Sequence, residues 1–201
     1  MWIVYIYKLF TLSFYFPFSG LDTVFSTCGV DGIRVWTDLD KNGGRQALHV
    51  PGPPHAQANC IVFTKDGKCI LSGWSDGCIR CYTPQTGKLI YMIQVCKFFL
   101  LIKGFLCVLK IFIFWLNCFQ GAHPKGVTAM ALLNDGLFTG GQDGQLRTWR
   151  TSRFYPNAKP KLLSTLKEHT GSVVSLRIAQ DEVEAISASA DGSCIIWDIS
   201  K

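Results

Sequence analysis

Gln142-Asp143-Gly144-Gln145-Leu146-Arg147-Thr148-Trp149 reads as a tight turn, an alternating run and a closing ring, and the pattern occurs four times. The other copies are Gly29-Val30-Asp31-Gly32-Ile33-Arg34-Val35-Trp36, Ser75-Asp76-Gly77-Cys78-Ile79-Arg80-Cys81-Tyr82 and Ala190-Asp191-Gly192-Ser193-Cys194-Ile195-Ile196-Trp197. Asp-Gly makes a hairpin turn because glycine accepts the positive φ that other residues resist. The residues that follow alternate and end in a large ring able to anchor a strand in a core. Asp precedes the aromatic by six residues in three copies and by five in the first. Self-similarity of this kind decides the fold class before any local reading does.

The closing aromatics lie 46, 67 and 48 residues apart. A propeller blade of four strands takes about 40–45 residues, so two intervals fit and the middle one is too long. The surplus is Val95 to Gln120, and removing its 26 residues brings the middle interval to 41. Upstream, His55, His123 and His169 precede Asp76, Asp143 and Asp191 by 21, 20 and 22 residues, and Ser72, Thr139 and Ser187 stand four before each Asp.

With His, Ser/Thr, Asp and Trp recurring together, the chain resembles the WD40-repeat family. The resemblance implies an all-β fold: a WD40-type β-propeller fragment of about three and a half four-stranded antiparallel blades in an open arc, with an aberrant apolar insert. It also implies a buried hydrogen-bonded network in each blade. The sets are His55, Ser72, Asp76 and Tyr82; His123, Thr139, Asp143 and Trp149; and His169, Ser187, Asp191 and Trp197. Tyr82 stands where the others have Trp, and its phenol donates from a different position. The first blade has no such histidine. A closed propeller needs about four to eight blades, so a fragment of a larger propeller is expected.

The runs between motifs narrow the resemblance. Thr83-Pro84-Gln85-Thr86-Gly87-Lys88-Leu89-Ile90-Tyr91 and Leu166-Lys167-Glu168-His169, with the blade motifs around them, are similar to WD-repeat proteins of motile axonemes over 21–94 and 121–201. This implies a structural component of axonemal doublet microtubules in the cytoskeleton of a motile cilium or flagellum. Its partners would be tubulin and other axonemal proteins, with no enzymatic activity and no cofactor, metal or nucleic acid. The residues themselves support rigid blades that offer loops and edges to protein partners. Two other readings remain: a cytosolic WD40 adaptor in a signalling or ubiquitin-ligase complex, and a membrane-anchored protein using 97–119. Trp74, where the other blades have Gly or Ser, is expected to be an exposed contact residue or a strand-packing one.

Ser, His and an acid also make a nucleophilic triad, but a reaction site is needed once and a packing device once per blade. No G-x-S-x-G elbow or phosphate-binding G-x-x-x-x-G-K-[ST] occurs. The net charge of +6 owes four lysines to two stretches without acids, Lys8 in 1–20 and Lys97, Lys103 and Lys110 in 95–120. The repeats are left near neutral, unlike the basic stripe of a nucleic-acid binder. Nine cysteines, an odd number without a repeated pairing pattern, read as reduced and mostly buried thiols. Cys78 and Cys81 have the spacing of half a zinc site, but a strand would send them to opposite faces, and no second ligand pair follows.

Two segments fall outside the repeats. Residues 1–20 form an apolar leader without the basic start or the cleavage site of a signal peptide. Residues 95–120 are long enough to cross a bilayer, which takes about 20 apolar residues. Three lysines interrupt the run, and a span there would put neighbouring blades on opposite sides of a membrane. Both stretches are rich in residues with A/T-rich codons. The insert opens with Val (codon GT-) and closes with Gln (CAG among its codons), the boundary letters of an intron. Translated non-coding sequence, or for 95–120 a loop or helix, is the expectation.

Overall fold

The structure, a computed structural model, describes residues 10–11, 24–38, 45–95, 120–150 and 160–199. Every regular element among them is a β-strand. The first sheet contains β1 (Phe10–Thr11), β2 (Phe25–Gly29), β3 (Gly32–Asp38) and β4 (Arg45–Pro51). The second contains β5 (Ala58–Phe63), β6 (Ile70–Trp74), β7 (Ile79–Tyr82), β8 (Leu89–Val95) and β9 (Gln120–Gly121). The third contains β10 (Val127–Leu132), β11 (Gly136–Gly141), β12 (Leu146–Arg150) and β13 (Lys161–Leu166). The fourth contains β14 (Val173–Ile178), β15 (Glu184–Ser189) and β16 (Cys194–Asp198). Strands pair in chain order, always antiparallel to their neighbours.

Each Asp-Gly sits in the hairpin between the second and third strands of its sheet. At Gly144 φ is +73°, and an added Cβ would come within 2.6 Å of the His169 carbonyl oxygen, so both the turn and the approach of the next sheet select glycine. The first strands of sheets two to four carry the same irregularity, one residue beyond Ala58, Val127 and Val173. The extra residue points across to the following sheet. Asn59 Nδ2 donates to the Val127 carbonyl at 2.9 Å, and Thr128 Oγ1 donates to the Val173 carbonyl at 2.5 Å. A conserved position for a bulge within a repeat is a means of re-aiming a side chain.

Successive sheets pack through β2 on β5, β5 on β10 and β10 on β14. Three apolar clusters result. One joins Ile33 and Val35 to Phe63, Ile70 and Trp74; the next joins Leu71 and Ile79 to Val127 and Leu137; the last joins Phe138 and Leu146 to Val173 and Leu176. A polar tie spans three sheets as well. Lys65 Nζ donates to Asn134 Oδ1 at 2.6 Å and to Glu182 Oε1 at 2.5 Å, while Asn134 N donates to Glu182 Oε2 at 2.9 Å. Glu182 has φ +58°, at the turn position where the second sheet has Gly67.

The first repeat has a fourth strand because Phe10 and Thr11, in the stretch read as leader, pair with Gly29 and Cys28. The ends of the insert also lie within strands: Gln94 pairs with Gly121 and Val95 with Gln120. Residues 96–119, and with them the reading of a span, lie outside the described residues. No helix among the described residues is long and apolar enough to cross a membrane.

Candidate functional site

The third sheet shows the repeated polar set in full. Trp149 Nε1 donates to Thr139 Oγ1 at 2.9 Å, and His123 Nε2 lies 2.9 Å from the same hydroxyl. His123 Nδ1 lies 2.9 Å from Asp143 Oδ1, a carboxylate that can only accept. Nδ1 therefore carries the proton and Nε2 accepts from Thr139, giving one directed chain from indole to hydroxyl to imidazole to carboxylate. Burial pushes the His123 pKa below its ordinary value, against the pull of Asp143, which keeps the ring neutral as this chain requires. Burial opposes ionisation of Asp143, but His123, Arg147 and the Gln145 N–H together hold it below the usual carboxylate range. The loop that carries His123 is fixed to the preceding sheet, where its N–H donates to the Gly77 carbonyl at 3.1 Å.

The fourth sheet builds the set with one member inserted. Trp197 Nε1 donates to Ser187 Oγ at 2.7 Å, and His169 Nε2 lies 2.6 Å from that oxygen. His169 Nδ1 then meets Ser193 Oγ at 2.8 Å, and Ser193 Oγ donates to Asp191 Oδ1 at 2.5 Å. Asp191 is 3.7 Å from the ring and spends its other oxygen on the N–H groups of Thr170 and Gly171. Hydrogen bonds from the Ser193 hydroxyl and N–H hold its pKa below the ordinary range.

In the second sheet the expected set does not assemble. His55 is exposed at φ +64°, whereas Ser72 is fully buried, so the two do not meet. Trp74 is 0% exposed and donates its indole N–H to Ser72 Oγ at 2.7 Å, so of its two expected roles the exposed contact falls and strand packing stands. Tyr82 is buried in the same cluster as Trp74. Asp76 pairs instead with Arg80 through contacts of 3.2 and 2.5 Å, and the Arg80 guanidinium lies 5.1 Å from the Trp74 ring centroid. Burial opposes the Asp76 charge, and Arg80 and the Cys78 N–H hold its pKa below the usual carboxylate range nonetheless.

Other participants stand close to the turns in the sequence but were not singled out. Thr27, four before Asp31, accepts from Trp36 Nε1 at 3.2 Å, so the first sheet keeps the hydroxyl–indole half of the set. Arg34, Arg80 and Arg147 follow the turn Asp and lie 3.4, 2.5 and 3.4 Å from Asp31, Asp76 and Asp143. Ser193 could have been found only by knowing that His169 falls short of Asp191.

This arrangement binds the protein to itself. Ser72, Thr139 and Ser187 are wholly buried, so none presents a nucleophile. Cys28, Cys60, Cys69, Cys78 and Cys81 are buried and outside any disulfide, and Cys194 is exposed. Burial pushes the Cys28 thiol up to about 12, far from a reactive thiolate. No group of metal-ligating side chains occurs among the described residues.

Three repeats match the WD domain, G-beta repeat family, at residues 48–83, 116–150 and 160–198, and the chain belongs to the WD40 family. It is 34% identical over 186 residues to cilia- and flagella-associated protein 52 of Sus scrofa, covering 92% of this chain. It is 37% identical over 178 residues to the protein of that name from Chlamydomonas reinhardtii, covering 88% of this chain. The chain spans 24% and 23% of the length of those relatives, about a quarter of each. Among solved structures it resembles a chain of the mitotic checkpoint complex, with TM-score 0.65, 16% identity and coverage of 89% of this chain and 45% of that one. It also resembles the computationally designed Ika4 protein, with TM-score 0.58, 20% identity and coverage of 90% and 88%. At these identities the structural likenesses speak for the fold.

Proposed function

We propose that the protein is a non-enzymatic scaffold of motile cilia and flagella, built into the wall of axonemal doublet microtubules and contacting tubulin and other axonemal proteins. The observation that carries this reading is the 34–37% identity to cilia- and flagella-associated protein 52 from a mammal and an alga, over about nine-tenths of this chain. The spending of Ser72, Thr139 and Ser187, of His123 and His169, and of Asp76, Asp143 and Asp191 on internal hydrogen bonds supports a framework without turnover. The near-neutral charge of the repeats bears on how it would attach. A strongly acidic surface such as that of tubulin attracts a polybasic partner by simple electrostatics, and these sheets are not one. Attachment through shape and specific contacts resists moderate salt better.

Extraction of motile cilia with graded salt, followed by detection of the protein, tests the reading. Retention with the axoneme through moderate salt is expected. Release with the soluble matrix at low salt, or absence from the axoneme, would overturn it and leave a cytosolic WD40 adaptor.

A further inference from the structure

The turns between the first and second strands of the second and fourth sheets have one construction. In Thr64-Lys65-Asp66-Gly67 the Gly67 N–H donates to the Thr64 carbonyl at 2.8 Å, and in Ala179-Gln180-Asp181-Glu182 the Glu182 N–H donates to the Ala179 carbonyl at 3.0 Å. The third residue caps each turn alike: Asp66 Oδ1 accepts from Lys68 N and Asp181 Oδ1 from Val183 N, both at 3.1 Å. The fourth residue takes a left-handed backbone in each, at φ +67° in Gly67 and +58° in Glu182. Glycine meets that demand in the second sheet without strain. In the fourth sheet the residue is glutamate, an uncommon choice in this region that costs backbone energy and persists where something else holds it.

What holds it is its carboxylate. Glu182 Oε1 accepts from Lys65 Nζ at 2.5 Å and Oε2 from Asn134 N at 2.9 Å, so its two oxygens reach two different sheets. Lys65 Nζ closes the triangle by donating to Asn134 Oδ1 at 2.6 Å. The Glu182 side chain is 18% exposed and that of Lys65 51%. Burial opposes the Glu182 charge, and Lys65 and the Asn134 N–H hold its pKa below the usual carboxylate range nonetheless. The Lys65–Glu182 bond bypasses the sheet between. Strand packing runs from each sheet to the next, β5 on β10 and β10 on β14. In a stack held that way an end sheet can open by itself, because it breaks its own boundary and no other. A tie from the second sheet to the fourth adds a restraint that belongs to neither boundary.

We infer that Glu182 is a coupling residue, held in a strained backbone so that its carboxylate clamps the turns of the second, third and fourth sheets. The clamp makes the fourth sheet open together with its neighbours rather than alone. It depends on charge and on reach at once. Glycine at 182 keeps the turn and has no side chain, and methionine at 65 keeps much of the length and has no donor. Gln180, at the Lys65 position of the fourth sheet, is uncharged, so the second sheet supplies the cation and the fourth the anion. The three turns lie at the opposite end of the second strands from the Asp-Gly hairpins, so the clamp stiffens the end that the histidine networks do not reach. The inference is independent of where in the cell the protein works.

Hydrogen–deuterium exchange of the 201-residue chain, read by mass spectrometry on peptides from 173–198, tests this. Glu182→Gly gives the turn the residue its backbone prefers, so without a clamp exchange should stay the same or slow. With the clamp it should quicken by at least about three-fold, the scale of a part-exposed ion pair. Lys65→Met leaves the fourth sheet untouched and should quicken exchange there by a similar factor. Added to Glu182→Gly, it should have little further effect, because the two residues act through one bond. Unchanged or slower exchange over 173–198 in either single variant, or full additivity of the two, would overturn the inference. An equal acceleration over 25–38, in the first sheet, would mean a general loss of stability and overturn it as well.

Discussion

Trp74 stands in the second sheet where the third has Gly141, and its indole takes over the hydroxyl that His123 engages there. Both residues lie two before the turn Asp. A Cβ added to Gly141 would come within 2.5 Å of His123 Cγ, so a side chain as large as tryptophan at that position and a histidine in the slot exclude each other; the small Ser189, at this position in the fourth sheet, coexists with His169. The second sheet resolves the conflict in favour of tryptophan: Trp74 Nε1 bonds Ser72 Oγ at 2.7 Å, and His55 lies at the surface.

Trp74→Ala should therefore destabilise the protein by about 3–5 kcal/mol, as for other large buried aromatics. Trp74→Phe keeps most of the volume and removes one donor to Ser72 Oγ, which still donates to the Arg80 carbonyl at 3.2 Å, so about 0.5–1.5 kcal/mol follows. His55→Asn, which removes the imidazole and keeps a residue suited to the backbone at φ +64°, should change stability by no more than about 0.5 kcal/mol. Urea melts check all three, and a His55 loss comparable to that of Trp74 would restore His55 to the network.

The intact network in the third sheet makes a second comparison. Asp143→Ala removes the acceptor of a fully buried His123 and should cost about 1–3 kcal/mol. The Asp31 side chain is 57% exposed, against 8% for Asp143, and the histidine in its sheet, His49, bonds the Asp31 backbone carbonyl at 2.8 Å, which alanine keeps. Asp31→Ala should cost less, within the about 0–1 kcal/mol of a surface ion pair. Equal losses in denaturant melts would count against a network that holds the sheet.

Much of this was legible in the sequence, and the reason differs from residue to residue. The Asp-Gly turns were readable because φ above zero selects glycine locally, as Gly144 shows. The hydroxyl and tryptophan of the third and fourth sets were readable because a fixed strand register fixes their offset from the turn. His55 was misplaced because its offset of 21 residues matches the others, while its exclusion depends on Trp74, a residue distant from it in sequence. Counting offsets does not register that one side chain has filled the volume another needs. Ser193 escaped for a similar reason, since its role depends on a 3.7 Å gap between His169 and Asp191.

The neutral state of His123 gives a pH dependence. Its pKa is lowered below 6.5 in the folded protein, mainly by burial, so on acidification the unfolded chain takes up the proton first. Stability from this residue is complete above about pH 6.5 and falls as the pH drops toward the folded value. Asp143 and Asp76, both lowered, hold stability that is lost only further down, below the usual carboxylate range of about 4. His123→Gln should lower stability at neutral pH but flatten its decline between about pH 6.5 and 5. Urea midpoints for both proteins across that range are the check, and parallel slopes would contradict it.

The last prediction concerns residues 95–120, which we propose are translated intron. Their two ends meet: Gln94 is the register partner of Gly121. Directly opposed Cα atoms in an antiparallel pair are about 4.5–5.5 Å apart, against about 3.8 Å for consecutive residues. Joining Gln94 to Gly121 therefore spans a short gap and requires only that the two-residue pairing of β9 with β8 gives way to a turn, and it restores a period of 41 residues between Tyr82 and Trp149. Loops that leave and re-enter at one point are tolerated or lost without breaking the strands beside them. A chain lacking 95–120 should fold with stability equal to or above that of the longer form, read by urea melts. In the tissue of origin, transcripts amplified across Gln94 to Gly121 should give a dominant product shorter by 26 codons. A transcript that always keeps those codons, together with a deletion variant that fails to fold, would make the segment part of the protein and return the membrane reading to consideration.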